Sequence, residues 1–286
     1  MEPQTYAQLA AVEDRHWWHR SREKLVAHYL RRLSLPRNAA ILDIGCGTGG
    51  TTRFLQQYGR VTALDLSPLA LQHARAKAPQ ATLVPGDAND LDELFAPQSF
   101  DLVTLFDVVC HRWVRDELAL LRKVQTLLKP GGCVLVTEGA HKSLMRTHDR
   151  LVMSKTRYAL SDFQRFFRAA GLTYQAGQYF SAPALPICWD LAAGGRRCNG
   201  HAPAEGQPIA ELQVPSRLIN AAMMAYMTIE SCLFRHLPVS AGIALLVMGR
   251  KTWTAPPVRS RPQTPAEVVA ARRLQAARPA APVLTR

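Results

Sequence analysis

The sequence predicts an α/β fold built on a doubly wound, mostly parallel sheet. Three observations carry that prediction. Short apolar segments alternate with helical ones over residues 37–180, as βαβ units require. Segments such as Leu102-Val103-Thr104-Leu105-Phe106 are almost continuously apolar, which fits strands covered by helices on both faces. The first strand runs directly into a glycine cluster, Gly45–Gly50, that opens a helix.

The elements follow in order. A helical pattern covers about Ala7 to Leu33, and Pro36 ends it because proline breaks the helical hydrogen-bond ladder. Ala40–Ile44 is the first strand, Thr51–Tyr58 a helical stub and Val61–Leu66 the second strand. Ser67-Pro68 is a helix-start signal, a capping hydroxyl followed by a residue already set at a helical φ; Pro79 ends that helix. Ala81–Pro85 is the third strand and Phe100–Phe106 the fourth. A helix over Val114–Leu128, a turn at Lys129–Gly132 and a fifth strand, Cys133–Glu138, come next. A polar segment to Tyr158 leads to a helix near Ser161–Ala170 and a sixth strand, Leu172–Phe180. Ala182–Pro215, rich in Gly and Pro, reads as an insertion. Arg217–His236 is a helix whose apolar stripe (Leu218, Ala221, Ala222, Ala225, Ile229, Cys232, Leu233) is assigned to the core, with a membrane-surface or lipid-substrate role as the alternative, and Ala241–Arg250 is the last strand. The expected organisation is an N-terminal helical lid (1–36), a core (37–252) with an insertion at about 181–216, and a tail (253–286).

Composition excludes several classes. The chain has 286 residues, 48% hydrophobic and 20% charged, which does not suit a wholly disordered protein. Its net charge of +13 invites a nucleic-acid partner. Yet Lys251–Arg286 carries seven bases against one acid, Glu267, and six of the 19 prolines. That stretch reads as a basic, Pro- and Ala-rich disordered tail, so the charge says little about the core. The first eleven residues lack a long apolar run, which predicts no signal peptide. No run reaches the ~18 apolar residues of a membrane span, so no transmembrane segment is expected. Six cysteines include no CxxC. Cys46, Cys110 and Cys133 fall in or beside apolar strands, as buried free thiols do. Cys188 and Cys198 have no His or Cys partner at metal spacing. The expectation is no metal and a reducing cytoplasm.

The glycine cluster carries chemistry. Asp43-Ile44-Gly45-Cys46-Gly47-Thr48-Gly49-Gly50 lets backbone approach a ligand where side chains would block it. Asp65 ends the next strand, where an acid can bind ribose hydroxyls. Together they indicate an adenosine cofactor on a Rossmann-like sheet without choosing between NAD and S-adenosylmethionine. Asp43, before the first glycine, would repel a pyrophosphate but suits the ammonium of a methionyl group. Asp87, after the third strand, can accept the adenine amino proton. The cofactor-binding set is Asp43, Gly45, Gly47, Gly49, Asp65, Leu66, Asp87, Ala88 and Asp107.

With these residues the chain resembles the class I S-adenosylmethionine-dependent methyltransferases. The ordered set Asp43–Gly49, Asp65, Gly86-Asp87, Phe100–Val103 and Leu128–Gly132 carries the resemblance. It implies a Rossmann-like doubly wound seven-stranded sheet whose last strand is antiparallel and inserted beside the sixth. Glu13-Asp14-Arg15-His16-Trp17-Trp18-His19-Arg20-Ser21-Arg22 is similar to the E-x-x-H-W-W-x-x-x-R opening of one small-molecule subgroup. Leu144–Asp149 and Arg157-Tyr158 are similar to its L-W-S-x-H-D and R-R-Y stretches. The chain departs from that subgroup after the fourth strand, where D-V-L-E-H becomes Asp107-Val108-Val109-Cys110-His111, and again at Met145, Ser154 and Gly139-Ala140.

Ligands of open α/β sheets lie at the carboxyl ends of the strands. His111, His148 and Tyr158 are therefore the candidate catalytic residues. His111 alternatively caps the following helix or bonds a lid, and Glu138 either faces the pocket or is a solvated loop acid. His16-Trp17-Trp18 is expected on a lid, with one indole over the ligand and the other on the sheet. The expected activity is methyl transfer from S-adenosylmethionine to oxygen or carbon of a small-molecule or lipid-like acceptor. The alternatives are a nucleic-acid methyltransferase and a catalytically silent cofactor-binding module. Against the former, Asp107-Val108-Val109-Cys110 is not the N/D/S-P-P-Y/F loop of exocyclic-nitrogen methylation, so nucleic acid is not the expected partner.

Overall fold

Seven strands form one sheet in the computed structural model, which describes residues 3–182, 184–186, 188–190, 214–233 and 241–252. They are β1 (Ala39–Ile44), β2 (Gly59–Asp65), β3 (Thr82–Pro85), β4 (Phe100–Phe106), β5 (Leu128–Gly139), β6 (Leu172–Phe180) and β7 (Ala244–Lys251). The order is β3-β2-β1-β4-β5-β7-β6. β7 runs antiparallel to β5 and β6, and the other pairs are parallel. The expected sheet, with its antiparallel last strand beside the sixth, is the one the chain builds.

Strand alternation buries both faces. Leu42, Ile44, Val103 and Leu105 pack with Leu120, Leu121 and Val124 of α6 (Glu117–Leu127) and Phe163 and Phe167 of α8 (Leu160–Ala169). Ile41, Leu102 and Leu135 point the other way, against Leu25, Val26 and Leu30 of α2 (Trp17–Leu30). Phe163 and Phe167 are fully buried, and truncating either ring costs ~3–5 kcal/mol. Helix starts follow local chemistry. Ser67 caps α4 (Pro68–Lys77) by accepting from Ala70 N at 3.3 Å. Asp116 caps α6 by accepting from Leu118 N and Ala119 N at 2.8 and 3.0 Å, so His111 is not its cap.

Three expectations change. The single N-terminal helix is two: α1 (Pro3–Val12) ends before a turn, and His16 caps α2 by accepting from Trp18 N at 3.2 Å. The Lys129–Gly132 turn lies inside β5. Between the pairs Phe100↔Leu128 and Leu102↔Cys133, β5 advances five residues where β4 advances two, so the segment bulges from the ladder. The stripe on α9 (Arg217–Leu233) is not core. Leu218 and Ile229 are 82% and 56% exposed and Ala221, Ala222 and Ala225 are exposed as well. The inward side of α9 is instead Met227 and Glu230, whose carboxylate accepts from Ser181 N at 2.6 Å.

Cys46, Cys110, Cys133 and Cys188 are buried and free. Among the described residues, no helix is long and apolar enough to cross a membrane and no His/Cys/Asp/Glu group is placed to hold a metal ion. This fold occupies the unit Met1–Thr252, and Trp253–Arg286 is a separate unit. The expected tail, and most of the expected insertion at about 181–216, lie outside the described residues.

Candidate active site

β1, β2, β4 and β5 end at the same edge of the sheet, where Asp43, Asp65, Phe106 and Gly139, at or next to their last positions, meet a cavity of about 730 Å³. The cavity runs from Leu66, Asp87 and Ala88 at the β2–β3 side, past the glycine loop, to His111, His148 and Arg157 at the β4–β5 side. Trp17, Trp18 and Arg22 of α2 and Met223 of α9 line it too.

The glycine loop is held by carboxylates. Asp65 Oδ2 accepts from Gly47 N at 2.8 Å and Oδ1 from Ser67 N at 2.9 Å. Burial raises the Asp65 carboxyl, and these donors oppose the rise. Asp43 is 2% exposed and accepts from Thr52 Oγ1 and Thr104 Oγ1 at 2.7 and 2.8 Å. Burial pushes its carboxyl up to about 6. Gly45, at φ +68°, could not carry a Cβ, which would fall 2.5 Å from Val108 Cγ2. At Gly47, φ is +55° and a Cβ would meet nothing within 4 Å, so backbone there lies open to the cavity. Asp87 accepts from Asn89 N and Nδ2 through Oδ1, at 2.8 and 2.6 Å.

Eight of the nine expected cofactor residues line the cavity: Asp43, Gly45, Gly47, Asp65, Leu66, Asp87, Ala88 and Asp107. Gly49 is the exception. Its Cβ would fall 2.6 Å from Ala74 Cα, so its role is to let α3 (Gly50–Leu55) and α4 approach.

Asp107 follows β4 at φ +59°, a left-handed conformation that costs a non-glycine residue. Its backbone N donates to Thr137 O at 2.9 Å, and its carboxylate takes Arg22 Nη1 at 2.5 Å. Arg22 also lies over the Phe106 ring, 5.5 Å from the centroid. This guanidinium was absent from the expected site, although the E-x-x-H-W-W-x-x-x-R stretch ends on it. The N-terminal segment anchors again at Glu13, which accepts from Thr48 Oγ1 at 2.7 Å and pairs with Lys77 at 2.5 Å. Trp18 stacks on Phe180 at 5.4 Å and Trp17 packs edge-on against Trp18, so both indoles touch protein and cavity alike.

At the β4–β5 side of the cavity, two segments are stitched backbone to backbone. Arg112 N donates to Met153 O at 2.9 Å and Lys155 N to Cys110 O at 2.8 Å. His111 and His148, one on each segment, both line the cavity. Burial pushes His111 down to about 4, which keeps the ring neutral near pH 7. Its Nδ1 accepts from Trp113 N at 3.4 Å, a bond that puts the ring proton on Nε2. Asp149, beside His148, serves other partners. Its Oδ1 takes Arg157 Nε and Nη2 at 3.0 and 2.9 Å in a buried pair, and its Oδ2 takes Arg146 N.

Tyr158 is a correction. It lies outside the cavity, 4% exposed, with its hydroxyl 3.1 Å from Val109 O and 2.9 Å from Glu117 Oε1. Burial and neighbouring carboxylates hold the phenol far above its ordinary value, so it is a packing residue of the Phe163 cluster. Glu138 is neither solvated nor cavity-lining. It is fully buried and accepts from Val109 N and Cys110 N at 2.7 and 3.3 Å. Burial, then the nearby Asp107 charge, hold its carboxyl well above the usual range.

The methyltransferase-domain family matches residues 41–132, which span β1 to the bulge of β5. The chain is 33% identical over 142 residues to a ubiquinone biosynthesis O-methyltransferase of Xanthomonas campestris, covering 45% of this chain and 58% of the relative. It is 38% identical over 127 residues to a malonyl-[acyl-carrier protein] O-methyltransferase of Erwinia pyrifoliae, covering 43% and 45%. The chain thus spans about half the length of the curated relatives it matches. A solved complex of a Haloferax volcanii methyltransferase with its activator matches at TM-score 0.56 and 21% identity, over 86% of this chain and 94% of that one, a likeness of fold. The matched residues contain the glycine loop, Asp65, Asp87, Asp107 and His111. Arg22, His148 and Arg157 lie outside them.

Proposed function

We propose that this chain transfers the methyl group of S-adenosylmethionine to an oxygen or carbon of a small-molecule or lipid-like acceptor. The carrying observation is one continuous cavity that joins the glycine loop and its carboxylates to two imidazoles. The residues present fit the cofactor. Gly47 offers open backbone, Asp65 hydroxyl-accepting oxygens, and Asp87, with Leu66 and Ala88, a polar and an apolar edge for adenine. Asp43 and Asp107 suit an ammonium and Arg22 a carboxylate, the two charges of a methionyl group. When bound, S-adenosylmethionine supplies an electrophilic methyl group to a nucleophile.

The chain's own residues then have to orient the acceptor, exclude water and remove its proton. Trp17 and Trp18 roof the cavity against solvent. His111, with its proton on Nε2, donates a hydrogen bond to the acceptor oxygen and orients it. His148 takes the acceptor's proton as general base. The four buried free cysteines support placing the chain in the cytoplasm.

Calorimetry with S-adenosylmethionine tests the cofactor half: the wild type binds and Asp65→Ala loses most affinity. No binding by the folded wild type sinks the proposal. Mass spectrometry of candidate acceptors incubated with labelled cofactor tests the rest, through a product heavier by one methylene. His148→Ala should lower kcat by ~10²–10⁴-fold with cofactor affinity kept, and His111→Ala by less. The reverse ranking would reassign the base.

A further inference from the structure

We infer that the outer face of α9, together with the basic ridge of α2 beside it, docks the protein on an anionic lipid surface. Of the seven large apolar side chains exposed among the described residues, three are on α9: Leu218, Ile219 and Ile229, at 82%, 55% and 56%. With Ala221, Ala222 and Ala225 they make an uninterrupted apolar face three turns long. An apolar face of this extent on a helix already packed by its other side marks a contact surface.

Charge identifies the occupant. The sole acid of α9 is Glu230, and it is turned inward onto Ser181 N. α2 lies alongside: Asn220 Oδ1 accepts from Trp17 N at 2.9 Å, and Lys24 Nζ reaches Thr228 Oγ1 at 2.8 Å. Residues 20, 24, 28 and 31 recur at three- and four-residue spacing, so Arg20, Lys24 and His28 share one side of α2 with Arg31, its C-cap. The sole acid of α2, Glu23, is bridged to Arg20. An apolar stripe edged by bases and free of outward acids is the pattern of a helix lying in a membrane interface, its apolar side among acyl chains and its cations at anionic headgroups. A second copy of the same face would bring further bases and no acid to meet them. The same two helices wall the cavity through Trp17, Trp18 and Met223, so docking would set the cavity beside the lipid. The inference does not depend on the cavity's chemistry.

Sedimentation of the full chain with vesicles tests it, using phosphatidylcholine alone and phosphatidylcholine with phosphatidylglycerol. The wild type should sediment with the phosphatidylglycerol vesicles and retain part of that binding at raised salt, where exposed charge is screened. The triple variant Leu218→Ser, Ile219→Ser, Ile229→Ser should lose about ten-fold or more of the salt-resistant partition, with its melting temperature and S-adenosylmethionine affinity kept. Three results would overturn the inference: no vesicle binding by the wild type, equal binding by the variant, or binding wholly abolished by salt, which would assign it to the basic C-terminal residues. A wild-type dimer that the variant converts to monomer would overturn it in favour of a second copy.

Discussion

The two ends of the cavity are built by different means. At the cofactor end, carboxylates and glycines on strand ends do the holding: Asp43 against two threonines, Asp65 against two backbone N–H groups, Gly45 against Val108. At the acceptor end, backbone-to-backbone bonds join the loop after β4 to the segment around α7 (Thr147–Leu151), and a buried ion pair braces the latter. The family match takes in the glycine loop and the loop after β4 and stops before the segment around α7. The cofactor end is thus specified by side-chain identity, and the acceptor end by its frame.

That contrast can be broken at the frame. Arg157→Ala leaves Asp149 as a buried, uncompensated charge and should cost ~3–5 kcal/mol, read as a fall in melting temperature. An effect near zero would mean the acceptor end is not braced this way. A smaller effect separates two neighbouring glycines. Gly49→Ala forces a Cβ onto the Ala74 backbone and should destabilise by ~1–3 kcal/mol. Gly47→Ala meets nothing in the protein, pays only for its left-handed φ, and should weaken cofactor binding more than stability. Denaturation and calorimetry on both variants sort packing from recognition.

The smallest effect is in pH. Asp43 titrates at about 6, above its ordinary value of 3.8. A raised carboxyl gives the empty protein a stabilising contribution that is present below about 4 and lost as pH rises through about 6. Cofactor binding runs the other way, because an ammonium needs the ionised form. Affinity should therefore fall as pH drops below about 6, by at most about ten-fold per unit. Asp43→Asn should flatten that dependence in calorimetry at pH 5 and 7.

Much of the cofactor end was legible because its signals are local: a glycine run after an apolar strand, an acid at the end of the next. Gly49 misled for the same reason, since a glycine that permits helix approach and one that admits a ligand look alike in sequence. Tyr158 lies next to Arg157, which does reach the cavity, but adjacent residues face different ways, and its hydroxyl is spent on Val109 and Glu117. Glu138 had no signal at all, because a carboxyl that accepts from a neighbouring loop's backbone leaves no spacing behind. On α9 the period correctly marked an apolar face. The helix is apolar on the opposite side too, at Met223 and Met227, so the pattern alone could not choose which side turns inward.

The backbone stitching of residues 110–112 to 153–155 has an evolutionary consequence. Peptide hydrogen bonds do not depend on side-chain identity. The side chains of His111 and Ser154 can therefore be exchanged with those bonds kept, and the cofactor end need not change with them. The acceptor end is in effect an interchangeable cassette, and a library randomised there should yield folded proteins with altered acceptor preference far more often than one randomised at the glycine loop.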